Sequence, residues 1–321
     1  PEAWPRRCGR RLDRTPEPML GLATFIMRGR SQAALVAALF AVLSLLFPLA
    51  GMLSSATVAL VTLRLGPVEG LIVGAFAGLA SGLFAFAALG SPAPALGFAL
   101  ALWLPVWALA LVLRNTRSQP LAVSLASLMG LLIVVGLRIG VGDPALYWTE
   151  MMEPVRQGLI EGGLTTEAGS QALIAEVARW MTGAFAAAFY FQALLSLFLG
   201  RWWQALLYNP GGFGSEFRDL RLNRGIGVLG MALLAWLLLD QGNQWAADLL
   251  ILVTPLLLLQ GLALIHWLVK ALQASRGWLV GVYALYLLAM PHAQVLTAGL
   301  GLADIWVNVR SRVRPRQADN H

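Results

Sequence analysis

Three polar residues inside apolar stretches are the clearest candidates for chemistry in this chain: Arg138, Gln192 and Asp304. A guanidinium can bind an anionic ligand or pair with an internal carboxylate, whereas an amide or a carboxylate can accept hydrogen bonds from a neighbouring helix. Such groups are expensive to bury, so they often mark functional sites. The three residues therefore predict either a polar ligand site or polar contacts between helices. For Arg138, the alternative is an anchor that extends toward the membrane surface.

The motifs of common enzyme chemistry are missing from the sequence. It has no Walker-type phosphate loop, no His-Glu-x-x-His and no Gly-x-Ser-x-Gly. Its single cysteine, Cys8, excludes an intramolecular disulfide, a cysteine-based zinc site and an iron–sulfur cluster. We therefore expect no enzymatic activity, no metal and no cofactor.

The composition indicates a membrane protein. Hydrophobic residues make up 58% of the 321 residues and charged residues only 12%, against about 45–50% and about 25% in soluble proteins. The net charge of +7 comes from basic residues between apolar runs. It is therefore interpreted as a signal of membrane orientation and not of nucleic-acid binding.

The apolar runs predict an all-α, polytopic transmembrane helical bundle. Several runs are short enough to be re-entrant or merged with a neighbour, so about 8–10 spans are expected by the length that a bilayer requires. Prolines and glycines such as Gly66, Pro67 and Pro291 separate the runs. The predicted spans are 32–50, 52–64, 67–89, 93–113, 119–141, 178–200, 225–240, 245–269, 277–290 and 292–308.

Basic residues predict the orientation. With both termini in the cytoplasm, all lysines and arginines after residue 27 lie on the inner side except Arg138, Arg156 and Arg179. The expected location is the cytoplasmic (inner) membrane of a bacterium, crossed several times.

Two connections between spans are long. The outer one, 143–176, is acidic and predicts an amphipathic helix from about Thr166. This helix is interpreted as lying on the outer membrane surface or capping the bundle, with a lid over a substrate entrance as the alternative. The inner one, 201–224, predicts a turn followed by a short amphipathic helix. This inner loop is interpreted as an interfacial anchor, with docking of a protein partner as the alternative. Its motif residues are Arg201, Trp202, Trp203, Asn209, Pro210, Gly211, Gly212, Phe213, Glu216, Phe217 and Arg218.

Small residues recur every four positions in two spans. Because side chains four apart share one face of a helix, they predict faces where another helix packs closely, or where surfaces slide during transport. These helix-packing residues are Ala33, Ala37 and Ala41 in the first span and Gly70, Gly74, Gly78 and Gly82 in the third.

Four segments carry a family resemblance: Arg201-Trp202-Trp203-Gln204, Asn209-Pro210-Gly211-Gly212-Phe213, Glu216-Phe217-Arg218-x-Leu220-Arg221, and Gly299-Leu300-Gly301-Leu302-Ala303-Asp304-Ile305-Trp306. With these, the chain from about 28 to 312 resembles the YybS-like family of predicted bacterial membrane proteins, which has no established activity. That family is distantly similar to the substrate-binding subunits of energy-coupling-factor vitamin transporters. The similarity implies a six-span bundle over 28–200 and a role for Ala33, Ala37 and Ala41 in meeting a transmembrane partner. The four further spans depart from that pattern.

The chain is accordingly divided into consecutive parts. Residues 1–27 form a basic extension set aside from the fold, and 28–200 form the six-span bundle that includes the outer segment 143–176. They are followed by the inner loop 201–224, further spans over 225–309 and a basic tail over 310–321.

Two functions remain open. One is binding or transport of a small molecule, with energy from a separate membrane-protein partner, which predicts a polar cavity among the first six spans. The other is a non-transporting scaffold in the lipid bilayer, which uses the glycine face and the inner loop to hold other proteins. It predicts that replacing Trp203 or Phe213 abolishes co-purification of a partner while the bundle still folds.

Overall fold

The computed structural model describes residues 18–275 and 277–313, and all regular structure within these ranges is helical. The basic residues of segment 1–17 and the tail beyond Val313 lie outside the described residues. The helices are α1 Pro18–Ile26, α2 Arg30–Leu43, α3 Ala50–Leu65, α4 Pro67–Leu89, α5 Ala93–Phe98, α6 Leu104–Thr116, α7 Gln119–Val141, α8 Pro144–Met151, α9 Glu153–Glu161, α10 Glu167–Tyr208, α11 Gly212–Arg218, α12 Arg224–Leu239, α13 Gln244–Ala271, α14 Gly277–Leu288, α15 Met290–Val307 and α16 Val309–Arg312.

Each predicted span is largely helical, although α2 ends at Leu43, seven residues before the predicted end of the first span. The predicted all-α class is confirmed. Five helical stretches in the described ranges are long and apolar enough to cross a membrane, and α2, α3, α12 and α14 are shorter apolar helices. The short second, seventh and ninth runs therefore do form separate helices. The chain has the architecture of a multi-pass helical membrane protein.

The outer amphipathic segment is not a separate surface helix. A helix does begin near Thr166, but α10 continues without a break from Glu167 to Tyr208, so this segment and the sixth predicted span are one element of 42 residues. The sequence from 167 to 208 contains no proline that would end the ladder of backbone hydrogen bonds. The amphipathic segment predicted from about Thr166 is therefore the first part of a longer helix.

The extension predicted over residues 1–27 is ordered in its last third. Residues Pro18–Ile26 form α1, in which Ala23 and Ile26 are fully buried. Both pack in one cluster with Ala33 and Val36 of α2. This burial corrects the exclusion of 18–27 from the fold, because apolar side chains that pack against the bundle stabilise it.

The chain forms two compact units that do not follow its linear order. The first contains the chain up to Ala126 together with Phe191–Phe217, and the second contains Ser127–Tyr190 and the chain from Arg218 onward. Helices α7 and α10 contribute to both units, whereas the sequence predicts consecutive segments.

The second unit depends on a close approach between α13 and α15. A Cβ atom added at Gly261 would overlap the carbonyl oxygen of Thr297, and one added at Gly301 would overlap that of Leu257. Only glycine permits this separation of the two backbones. The close contact explains why Gly301 stands in the C-terminal segment of the sequence signature.

In the outer segment, a local ion pair stabilises the start of α9. Arg156 donates to Glu153 at 2.7 Å (Nε–Oε2) and 2.6 Å (Nη2–Oε1). This bonding to the ionised form lowers the pKa of the Glu153 carboxyl to about 2.

Candidate functional site

An apolar groove in the first unit runs along one side of α4. The buried face of this helix is formed by Val73, Ala77, Ser81 and Ala85, and α2 packs closely on α4. Of the predicted glycine face, Gly70 is buried, whereas Gly74, Gly78 and Gly82 are only partly covered. All four glycines line the groove.

The contacts of the individual glycines show how open this side of α4 is. A Cβ added at Gly74 would meet no atom within 4 Å, and one at Gly78 would meet only a ring carbon of Trp103, at 3.5 Å. Gly70 lies closer to its neighbours, Thr62 and Trp107. The glycines thus create space beside α4, because they have no side chains to fill it.

The opposite wall of the groove is formed by a distorted helix. Between α5 and α6, residues Ala99–Trp103 form a π-helical segment, and the N–H of Leu104 donates to the carbonyl of Ala99. Pro105 follows at once; it has no N–H and its ring collides with an α-helical carbonyl four residues earlier. The wider turn accommodates it, and such π-helical turns are frequent at functional sites.

Two tryptophans, Trp103 and Trp107, line this wall with their polar atoms already bonded. The indole N–H of Trp103 donates to Ser54 Oγ at 2.9 Å, and Ser54 Oγ donates to the carbonyl of Ala37 at 2.7 Å. The indole N–H of Trp107 donates to the carbonyl of Pro67 at 3.0 Å. The hydrogen bonds fix both rings and leave apolar surface toward the groove.

The groove has a volume of about 860 Å³, which lies within the range of about 300–1,000 Å³ for small-molecule sites. It extends from Gly70 to Phe86, about 24 Å along α4 at 1.5 Å per residue. A cavity does exist among the first six spans, but its side chains are apolar, which corrects the expected polar lining. They belong to Val58, Gly70, Leu71, Gly74, Ala75, Gly78, Leu79, Gly82, Leu83, Phe86, Pro92, Leu96, Ala99, Leu100, Trp103, Leu104 and Trp107.

The small-residue face of α2 is covered by the chain itself. Ala33 and Ala37 are fully buried and Ala41 is 5% exposed, and α2 packs on both α3 and α4. The resemblance to energy-coupling-factor subunits implies that these alanines meet a transmembrane partner. In this structure they are not accessible to one.

Arg138 forms a buried ion pair in the second unit. Its Nε and Nη2 atoms donate to Asp248 Oδ2 at 3.0 and 2.5 Å, and the N–H of Gly183 donates to Asp248 Oδ1 at 2.8 Å. The Arg138 side chain is 14% exposed and that of Asp248 is fully buried. The guanidinium also lies 4.7 Å from the ring centre of Trp245. This cluster joins α7, α10 and α13.

Asp304 belongs to a different buried cluster. Gln260 Nε2 donates to Asp304 Oδ2 at 2.6 Å, and Gln260 Oε1 accepts from the N–H of Leu222 at 3.0 Å. Arg310 Nε lies 3.4 Å from the same carboxylate oxygen. Arg310 also donates from Nη1 to the carbonyl of Arg218 at 2.6 Å and from Nη2 to that of Leu220 at 3.1 Å. These bonds fasten the chain at 218–222 to α13, α15 and α16.

Replacing Arg310 by alanine is expected to release this fastening. Two backbone carbonyls would lose a charged donor and the buried carboxylate of Asp304 would lose its cationic partner. The expected loss in the free energy of unfolding is about 1–3 kcal/mol. Hydrogen exchange of the amides at 218–224 should become faster. The matched control is Arg312→Ala, because Arg312 is exposed in the same short helix. Equal exchange in both variants would show that Arg310 does not hold this segment.

Arg138 and Asp304 do not form one polar site. They contact α13 at Asp248 and Gln260, twelve residues or about 18 Å apart along the helix. Gln192 belongs to the first unit, where its Nε2 atom donates to Ser196 Oγ at 3.3 Å. Its Oε1 atom is buried without a hydrogen-bond partner.

The aromatic residues of the inner loop up to Phe217 pack within the first unit. Trp203 is fully buried, and the rings of Phe213 and Phe217 lie 5.9 and 6.2 Å from that of Phe198. The predicted turn ends at Gly211, with φ of +86°, and leads into α11. The remaining motif residues are Trp202, which is partly buried, and Asn209, Pro210 and Gly212, which form the turn.

A polar cluster holds this loop in place. Arg201 pairs with Glu216, with an Nε–Oε2 distance of 3.0 Å. Gln119 Nε2 donates to the same Oε2 atom at 3.1 Å. These contacts explain Arg201 and Glu216 of the sequence signature as structural residues.

Sequence reasoning missed the groove tryptophans and Asp248. Trp103 and Trp107 are four residues apart around Pro105, a spacing that places both rings on one face of a helix. Asp248 stands in the first turns of α13, where an acid in an apolar run was the available signal. Within 18–275 and 277–313, no three His, Cys, Asp or Glu side chains are placed to bind a metal ion together.

Comparison with known proteins adds nothing to this geometry: no family model matches the chain, and no curated protein or solved structure is significantly similar to it. The fold and the groove define a class, multi-pass helical membrane proteins with an internal apolar site.

Proposed function

We propose that the protein binds or transports a membrane-soluble small molecule with a long apolar body, and that it does so in a bacterial inner membrane. The observation that carries the proposal is the groove of about 860 Å³ with entirely apolar side chains. Among the walls, Leu79, Leu83 and Leu100 are more than half exposed, so a ligand has access to the groove from the hydrocarbon layer.

The apolar lining determines the class of ligand. Water-soluble vitamins need polar partners in a buried site, because an unpaired polar group costs about 1–3 kcal/mol or more. The side chains of the groove are apolar, and both indole N–H groups are already bonded within the protein. A chain or ring system without polar atoms fits these walls.

Selectivity in such a site has to come from shape. A lipid tail gains little hydrophobic free energy by moving from the bilayer to an apolar groove. The gain comes from van der Waals contact with rigid walls, which the two fixed tryptophan rings supply. Energy for transport would come from a separate partner, because the sequence contains no nucleotide-binding loop.

The burial of Trp203 favours the ligand site over the scaffold hypothesis. That hypothesis uses the glycine face of α4 and the inner loop to hold other proteins, but in the loop Trp203 is fully buried, and Phe213, which is partly buried, packs on Phe198 and Phe217. Loss of either ring would therefore alter packing within the protein itself.

Quenching of tryptophan fluorescence by brominated lipid tests the proposal. We expect a minor fraction of lipid with brominated chains to quench Trp103 and Trp107 more strongly than Trp278, which is 69% exposed on α14. The contribution of the groove pair is the difference between wild type and the variant with Trp103→Phe and Trp107→Phe. The contribution of Trp278 is likewise the difference between wild type and the variant with Trp278→Phe.

Stronger quenching of the groove pair than of Trp278 at the same lipid fraction would show that chains concentrate in the groove. Equal or weaker quenching of the pair would mean that the groove holds no preferred ligand, and the proposal would fail.

A further inference from the structure

One end of the groove carries an excess of positive charge. Arg64 precedes the start of α4 by three residues, Arg30 pairs with Glu69 in the first turn of α4 at 2.5 Å, and Arg114 and Arg117 lie at the end of α6. These four arginines and Glu69 together give this end four positive charges and one negative charge.

Arg114 is fixed at this end of the groove by hydrogen bonds to the backbone of α3. Its Nη1 atom donates to the carbonyl of Leu63 at 2.7 Å, which fixes the guanidinium beside the last turn of α3. Its Nη2 atom lies 3.9 Å from the position of a Cβ at Gly66. The groove begins at Gly70, four residues or about 6 Å further along the chain.

The start of α4 adds to this field. Positions 68 and 69 are in the first turn after Pro67, where helical N–H groups lack intrahelical acceptors and the helix dipole is positive. Arg64 is held nearby, with its guanidinium carbon 4.3 Å from the ring centre of Tyr208. An anionic group at this end would be favoured by both the side chains and the helix.

We propose that the ligand of the groove is an anionic amphiphile, with its chain along α4 and its acidic head group bound by Arg114 at the start of that helix. This inference rests on the proposed function and names the class of molecule that fills the site. Because basic residues favour the inner side, the head group would lie in the inner leaflet.

The experiment compares two brominated lipids with identical chains, phosphatidic acid and phosphatidylcholine, each present as a minor component in vesicles of unbrominated phosphatidylcholine. The readout is the quenching assigned to Trp103 and Trp107. We expect phosphatidic acid to bind about tenfold more tightly, the effect of one hydrogen bond between charged groups. Arg114→Gln should abolish this preference, and Arg114→Lys should retain part of it.

The matched control is Arg224→Gln, which removes an exposed arginine at the start of α12. It should keep the full preference for phosphatidic acid, because Arg224 belongs to the second unit and the groove to the first. If Arg114→Gln fails to fold, Arg64→Gln supplies a second variant at the same end and should weaken the preference.

The outcomes separate this inference from the function on which it rests. Equal binding of the two lipids in the wild-type groove, or an unchanged preference in Arg114→Gln, would overturn the head-group assignment and leave the groove as a lipid site. If neither lipid quenches Trp103 and Trp107 more strongly than it quenches Trp278, the proposed function itself is overturned.

Discussion

Gly74→Leu is expected to block ligand binding in the groove while the bundle remains folded. A Cβ at Gly74 meets no atom within 4 Å, so the new side chain extends into the groove without displacing the backbone. Overfilling a site costs about 1–3 kcal/mol, which corresponds to binding weaker by about 5- to 150-fold. The measurement is the brominated-lipid quenching of Trp103 and Trp107.

The control for this substitution is Gly281→Leu. Gly281 is also a helical glycine, in α14 of the second unit, and its added Cβ would likewise meet no atom within 4 Å. Both substitutions improve the intrinsic helix propensity by about 0.8–1 kcal/mol, so a difference between them reports the position of the side chain. Unchanged quenching in Gly74→Leu would exclude the groove as the binding site.

Asp248→Ala is expected to cause the largest loss of stability. The carboxylate accepts two bonds from Arg138 and one from the N–H of Gly183, and its side chain is fully buried. Removing it leaves the guanidinium of Arg138 with little exposure and no counterion. Breaking a buried pair in this way costs about 3–5 kcal/mol, measurable as the free energy of unfolding in mixed detergent.

Two further variants make this test specific. Asp240→Ala removes an exposed acid at the end of α12 and should change stability little. Replacing both partners, with Arg138→Leu and Asp248→Leu, should recover most of the loss, because an apolar pair needs no counterion. If Asp248→Ala proves as stable as Asp240→Ala, the pair does not hold α7, α10 and α13 together.

The helices could be predicted from sequence because bilayer solvation leaves a simple pattern. Apolar runs separated by residues such as Pro67 and Pro120 mark helices α4 and α7 to within a residue or two. The boundary at Thr166 was also predicted, but the sequence has no signal there that distinguishes a separate helix from the start of α10. Continuity across 167–208 depends on packing within the units, and periodicity does not encode it.

The sites were harder to predict, for two physical reasons. The partner of Arg138 is 110 positions away in sequence, so the pair exists only after α7 and α13 have come together. The groove exists because no side chain fills the space beside Gly74, and a small residue in the sequence is equally compatible with close packing and with open space. Deciding between these outcomes requires the positions of Trp103 and Trp107, which the fold sets.

The widened turn at Ala99–Trp103 also bears on how the length of this helix can vary. A π-helical turn holds one residue more than the α-helical turn it replaces, so it takes up an extra residue locally and the helix beyond it keeps its facing. The indole of Trp107, one turn further along, therefore stays against the start of α4, where it donates to the carbonyl of Pro67.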